Sequence, residues 1–87
     1  LFKRQDDLAQ DTYVVVTFST TTDAMHLEAV AAECGLQGRL APIPRHLSAS
    51  CGLAWMEPNG NDATVRKCLL NHDVIFERLE VMAGHST

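Results

Sequence analysis

The densest apolar run in the chain is Tyr13 to Phe18 (YVVVTF), β-branched and aromatic and flanked on both sides by polar sequence. Such a run suits a central strand with paired neighbours on both edges. Ser19 to Thr22 then supplies hydroxyl N-caps, and Asp23 stands where a helix dipole favours an acid. Ala24, Leu27, Val30, Ala31 and Cys34 recur at helical spacing until Gly35, which tolerates the left-handed cap conformation, stops the helix. Arg39 to Arg45 (RLAPIPR) reads as a second strand, but Pro42 and Pro44 cannot donate ladder hydrogen bonds and confine it to a sheet edge. Leu53 to Glu57 carries no proline and suits a central position. Pro58-Asn59-Gly60-Asn61 is a turn, and Asp62 to Asn71 follows as a helix with Val65, Cys68, Leu69 and His72 on one stripe. Val74 to Val81 is the last strand.

The order is βαββαβ. Two helices cannot cover both faces of a four-stranded sheet, so the pattern predicts a two-layer α+β sandwich, ferredoxin-like, with an antiparallel sheet. In that topology the first and third strands are central and the second and fourth are edges, in agreement with the proline placement. The face away from the helices, expected to carry Tyr13, Val15 and Leu53 or Trp55, needs cover, and a homodimer through it is the expectation.

Residues 13–82 form the single expected domain. Leu1 to Thr12 is polar and aperiodic and reads as an arm, a processed end or an expression remnant; residues 83–87 read as a tail. A chain of 87 residues buries only about 60 to 65% of its unfolded surface, enough for one core and not for a large substrate cleft. The formal charge is −4 with scattered basic residues, which lacks the footprint of a nucleic-acid binder. No apolar run nears the roughly 18 residues that span a bilayer, and the first twelve residues hold no signal-peptide core, so a cytoplasmic protein is expected.

Cys34, Cys51 and Cys68 form an odd set without a CxxC pair, which suits neither a disulfide framework nor a four-ligand zinc site. They are expected to be separate thiols, Cys34 and Cys68 packing on apolar helical stripes. The histidines show no metal-ligand spacing, and no metal or cofactor is expected.

Cys51 is different. The connection from His46 to Gly52 is longer than the 2–5 residues usual for a hairpin, and Gly52 permits unusual torsions and the close approach of a partner. A cysteine is a nucleophile or sulfur carrier only as thiolate, and an ordinary one is about 3% ionised at pH 7. A guanidinium about 6 Å away at an effective dielectric of about 20 contributes roughly 2–3 kcal/mol. Arg39 and Arg45 lie on the strand leading into the loop, an even number of positions apart, and Ser48 and Ser50 offer hydroxyl donors. The same arginines also serve simply to keep an edge strand soluble, and the serines to form a turn. His46 is either a base toward Cys51 or a solvated side chain.

Together Thr17-Phe18-Ser19-Thr20-Thr21, Glu28, Gly38-Arg39-Leu40, the PxPR pattern of Pro42 through Arg45 and the block Leu47-Ser48-Ala49-Ser50-Cys51-Gly52-Leu53-Ala54 resemble the small bacterial proteins of the DUF3343 family, described as selenium/sulfur carriers. The resemblance covers roughly Tyr13 to Val81. It implies that Cys51 holds sulfur or selenium as a persulfide or selenyl sulfide, with Arg39 and Arg45 as cationic neighbours. It also implies partners: a cysteine desulfurase-like donor and a selenium- or sulfur-using acceptor protein. Cys34, Cys68 and His46 are not part of that motif. The competing readings are a noncatalytic ferredoxin-like regulatory module, in which Cys51 is dispensable, and a redox sensor that pairs Cys51 with a helix cysteine.

Overall fold

The computed structural model describes residues 12–43, 51–58 and 61–83. The expected arm up to residue 11 and tail from residue 84 therefore lie outside the described residues. In chain order the elements are β1 (Thr12–Thr17), α1 (Thr21–Ala31) with a 3-10 turn at Ala32–Cys34, β2 (Arg39–Pro42), β3 (Leu53–Pro58), α2 (Asp62–Asn71) and β4 (Arg78–Ala83). The sheet order is β2-β3-β1-β4, with all three pairings antiparallel. This is the ferredoxin-like α+β sandwich expected from the sequence, and proline-bearing β2 is at the edge. Thr12 and Ala83, assigned above to the arm and the tail, instead pair with each other at the end of the β1–β4 ladder.

Both helices begin on a side-chain cap. Thr20 Oγ1 accepts from Asp23 N–H at 3.1 Å, and Asn61 Oδ1 accepts from Thr64 N–H at 3.5 Å. Both end in a Schellman turn, which satisfies two orphan carbonyls and folds an apolar residue back onto the helix. At the first, Gly35 has φ 76°, Gly35 N–H donates to Ala32 O and Leu36 N–H to Ala31 O. At the second, Asp73 has φ 54°, its N–H donates to Leu70 O, and Val74 N–H donates to Leu69 O at 2.9 Å. Val74 is thereby spent on capping α2 and packing into the core. That is why the last strand starts at Arg78 and not at Val74 as the apolar pattern predicts. The chain joins the sheet just before, where Glu77 N–H donates to Thr17 O.

The core lies between helices and sheet: Val14, Val16 and Trp55 meet Ala24, Leu27, Ala31, Val65, Cys68 and Leu69. Directly opposed residues share a face. Val16 opposes Trp55 and Val14 opposes Glu57, so Leu53, Trp55 and Glu57 face the helices. This corrects the expectation that Leu53 or Trp55 lies on the far face. That face carries Tyr13, Val15, Thr17, Arg39, Ala54, Met56 and Met82, of which Val15, Thr17 and Ala54 are buried.

The three cysteines are not separate thiols. Cys34, in the 3-10 turn, and Cys68, on α2, form a disulfide with Cα atoms 5.7 Å apart. The helical stripes that each was assigned to face one another, and a sequence separation of 34 gives no local sign of that meeting.

Candidate functional site

Cys51 stands just before β3 and is the one free cysteine. It is half-buried and packs against the margin of the core. Gly52, at φ 78°, turns the chain so that the sulfur folds back over the Leu53 peptide. Leu53 N–H donates to Sγ at 3.4 Å, and Sγ lies 3.5 Å from Leu53 O, which accepts from the thiol. Ile43 N–H donates to Gly52 O at 3.1 Å, which extends the β2–β3 ladder to the foot of the site.

The β1–β3 register shows which elements share this end of the molecule. Thr17 opposes Ala54, so the chain leaving β1 toward the Thr20 cap and the chain arriving from Cys51 lie at one end of the sheet. There α1 presents its N-terminus, whose partial positive charge favours anions.

The same ladder carries Arg39 away from Cys51. Arg39 opposes Met56, and Met56 to Leu53 alone spans about 10 Å of strand, with Cys51 further on. Arg39 also projects from the face opposite the helices, whereas Cys51 packs on the helix side. Of the expected site residues the structure therefore brings together Cys51 and Gly52, and it separates Arg39 from them. Arg45, Ser48 and Ser50, with His46, lie outside the described residues.

A second polar centre escaped the sequence reading. Glu57 is 5% exposed, yet among the described residues no cation forms an ion pair with it. Its carboxylate is filled by N–H donors: Gln37 N to Oε2 at 2.9 Å, Gly38 N to Oε1 at 2.8 Å and Trp55 Nε1 to Oε1 at 2.9 Å. A buried charge is tolerable when hydrogen bonds replace its hydration. Strand parity holds the missed signal, because an acid two positions from Trp55 must share the core face. Gly38 lies so close to β3 that a Cβ there would meet the Met56 carbonyl and come within 2.9 Å of Glu57 Cα. Glu57 thus fixes where β2 enters the sheet.

Among the described residues no helix is long and apolar enough to cross a membrane, and no three metal-ligating side chains converge. A small ferredoxin-like sandwich with one free thiol at the mouth of its β2–β3 connection defines the class. The family model described as "Putative Se/S carrier protein-like" matches residues 13–79, most of the chain, and the protein belongs to that family. Comparison with curated proteins and with solved structures gave no match.

Proposed function

We propose that this protein accepts a zero-valent sulfur or selenium atom on the sulfur of Cys51 and hands it to a partner protein. The observation that carries this reading is the division of the cysteines: Cys34 and Cys68 are bonded to each other, which leaves Cys51 as the one free thiol. Family membership supplies the cargo. The Cys51 thiolate attacks the outer sulfur of a donor cysteine persulfide, a new S–S bond forms, and the donor cysteine leaves as thiolate. The same exchange moves selenium from a selenyl sulfide, and neither case needs an outside oxidant. The donor is a cysteine desulfurase-like protein and the acceptor a selenium- or sulfur-using enzyme. Arg45, Ser48 and Ser50 belong to this proposal as groups that steady the loaded anion.

The reading that pairs Cys51 with a helix cysteine is less well supported. Cys34 is bonded to Cys68, and α1 with its 3-10 turn places about 20 Å between the Thr20 cap and Cys34. A homodimer through the far sheet face is a separate proposal, supported by half-buried Tyr13 and Met56 and exposed Met82 on that face. Sedimentation equilibrium checks it, and a monomer at high concentration sinks it.

The carrier test is intact-mass measurement after exposure to glutathione persulfide and, separately, to selenodiglutathione. The wild type gains one sulfur atom, or one selenium-linked glutathione, at Cys51, and Cys51→Ser gains neither at that site. Unmodified wild type under both treatments refutes the carrier and leaves the noncatalytic module, in which Cys51→Ser is silent.

A further inference from the structure

The Cys34–Cys68 bond is not sealed in the core. Cys68 is 1% exposed, but Cys34 is only partly buried, and both cysteines line an open cleft of about 330 Å³. Lys67, His72 and Asn71 line the same cleft, with Glu33 as its acid. None of these groups is used by the Cys51 chemistry, and the cleft lies along the far part of the helix layer from that thiol. We propose that this bond is a second reactive site, a reversible thiol–disulfide exchange centre that takes a small anionic thiol of the glutathione class.

The geometry of burial chooses the sulfur that is attacked. An incoming thiolate must approach along the S–S axis, and of the two cysteines only Cys34 keeps exposed surface. The new bond forms between the incoming sulfur and Cys34 Sγ, and the Cys34–Cys68 bond breaks. Cys68 leaves with the electron pair and takes up the proton that the small thiol gave to solvent. A second thiolate attacks the mixed disulfide, releases Cys34 and departs as oxidised glutathione, so two thiols are oxidised for each bond reduced. Lys67 adds a cation, and His72 a group that is cationic when protonated, near the approaching carboxylates and thiolate. Packing holds Cys68 beside Cys34, and that proximity makes reclosure fast. The bond therefore reads the surrounding thiol pool while Cys51 keeps its own chemistry.

The test uses the full chain carrying Cys51→Ser, so that it is independent of the carrier reading. The protein is equilibrated in glutathione buffers of graded composition, quenched by alkylation and mapped by peptide mass. The expected result is a glutathione adduct on Cys34, its conversion to the dithiol as the buffer becomes more reducing, and full recovery of the bond on reversal. Lys67→Glu is expected to slow the attack of glutathione about fivefold and that of 2-mercaptoethanol, whose thiolate carries no carboxylates, by less. A bond that yields only after denaturation, an adduct on Cys68 instead of Cys34, or equal rates for Lys67→Glu and its parent each overturn the proposal.

Discussion

Glu57 Oε1 accepts from the Gly38 backbone N–H at 2.8 Å across the junction between β2 and β3, and the same oxygen accepts from Trp55 Nε1. With Gln37 N–H on Oε2, three donors converge on a group that is acceptor-only when ionised. Glu57→Gln replaces one oxygen with an NH₂ that must face an N–H, donor against donor. The expected loss of stability is about 2 kcal/mol. Urea unfolding of the two proteins checks it, and a difference below about 0.5 kcal/mol shows that the carboxylate is not the clasp described.

Gly38 is the other half of that clasp. A methyl there meets the Met56 carbonyl and the backbone of Glu57, neither of which can swing aside. Gly38→Ala is expected to cost about 2–3 kcal/mol and to shift β2 relative to β3. Amide exchange at Leu40 and Trp55 reads the shift directly; unchanged protection contradicts it.

Most of the layout is legible in the residues. Pro42 marks the edge strand, YVVVTF the central one, and Gly35 the end of the first helix, because each restricts backbone geometry or pairing locally. Asp73 is harder to see, since an aspartate at positive φ is uncommon and only the completed Schellman turn shows why Val74 leaves the strand pattern. The disulfide could not be read at all, because two cysteines 34 positions apart meet only once the helices pack. Cys51 stands out as a candidate through Gly52 and the length of its loop. The strand that was expected to carry Arg39 toward it does the reverse, because the register that pairs Arg39 with Met56 is a property of the assembled sheet.

Gly52 tests whether the placement of the thiol depends on backbone geometry. A Cβ at Gly52 meets nothing within 4 Å, but φ is +78°, so the cost of Gly52→Ala is conformational and not steric. The expected destabilisation is about 1 kcal/mol. Relaxation of that torsion also moves Cys51 Sγ off the Leu53 amide, so on the carrier proposal persulfide loading is expected to slow while the protein stays folded. A variant that loads at the wild-type rate shows that the amide contact is irrelevant to the chemistry.

Removal of the disulfide has a size set by its loop. A bridge across 34 positions lowers the entropy of the unfolded chain enough to contribute about 3–4 kcal/mol, or about 15 °C or more in Tm for a domain of this size. Thermal unfolding of Cys51→Ser with and without dithiothreitol measures it. Equal midpoints show that the bond contributes nothing to the folded state.

Arg39 supplies the sharpest check on the site. It opposes Met56, at least about 10 Å of strand from the start of β3, and it points from the face away from the helices. At that separation and through water its field at the sulfur is weak. Arg39→Ala is therefore expected to leave the rate of Cys51 alkylation by iodoacetamide within about twofold of wild type at constant pH and low salt. Cys51→Ser abolishes that reaction and supplies the zero. A tenfold slower alkylation of Arg39→Ala places the guanidinium at the thiol after all, which is incompatible with the β2–β3 register on which the description of the site rests.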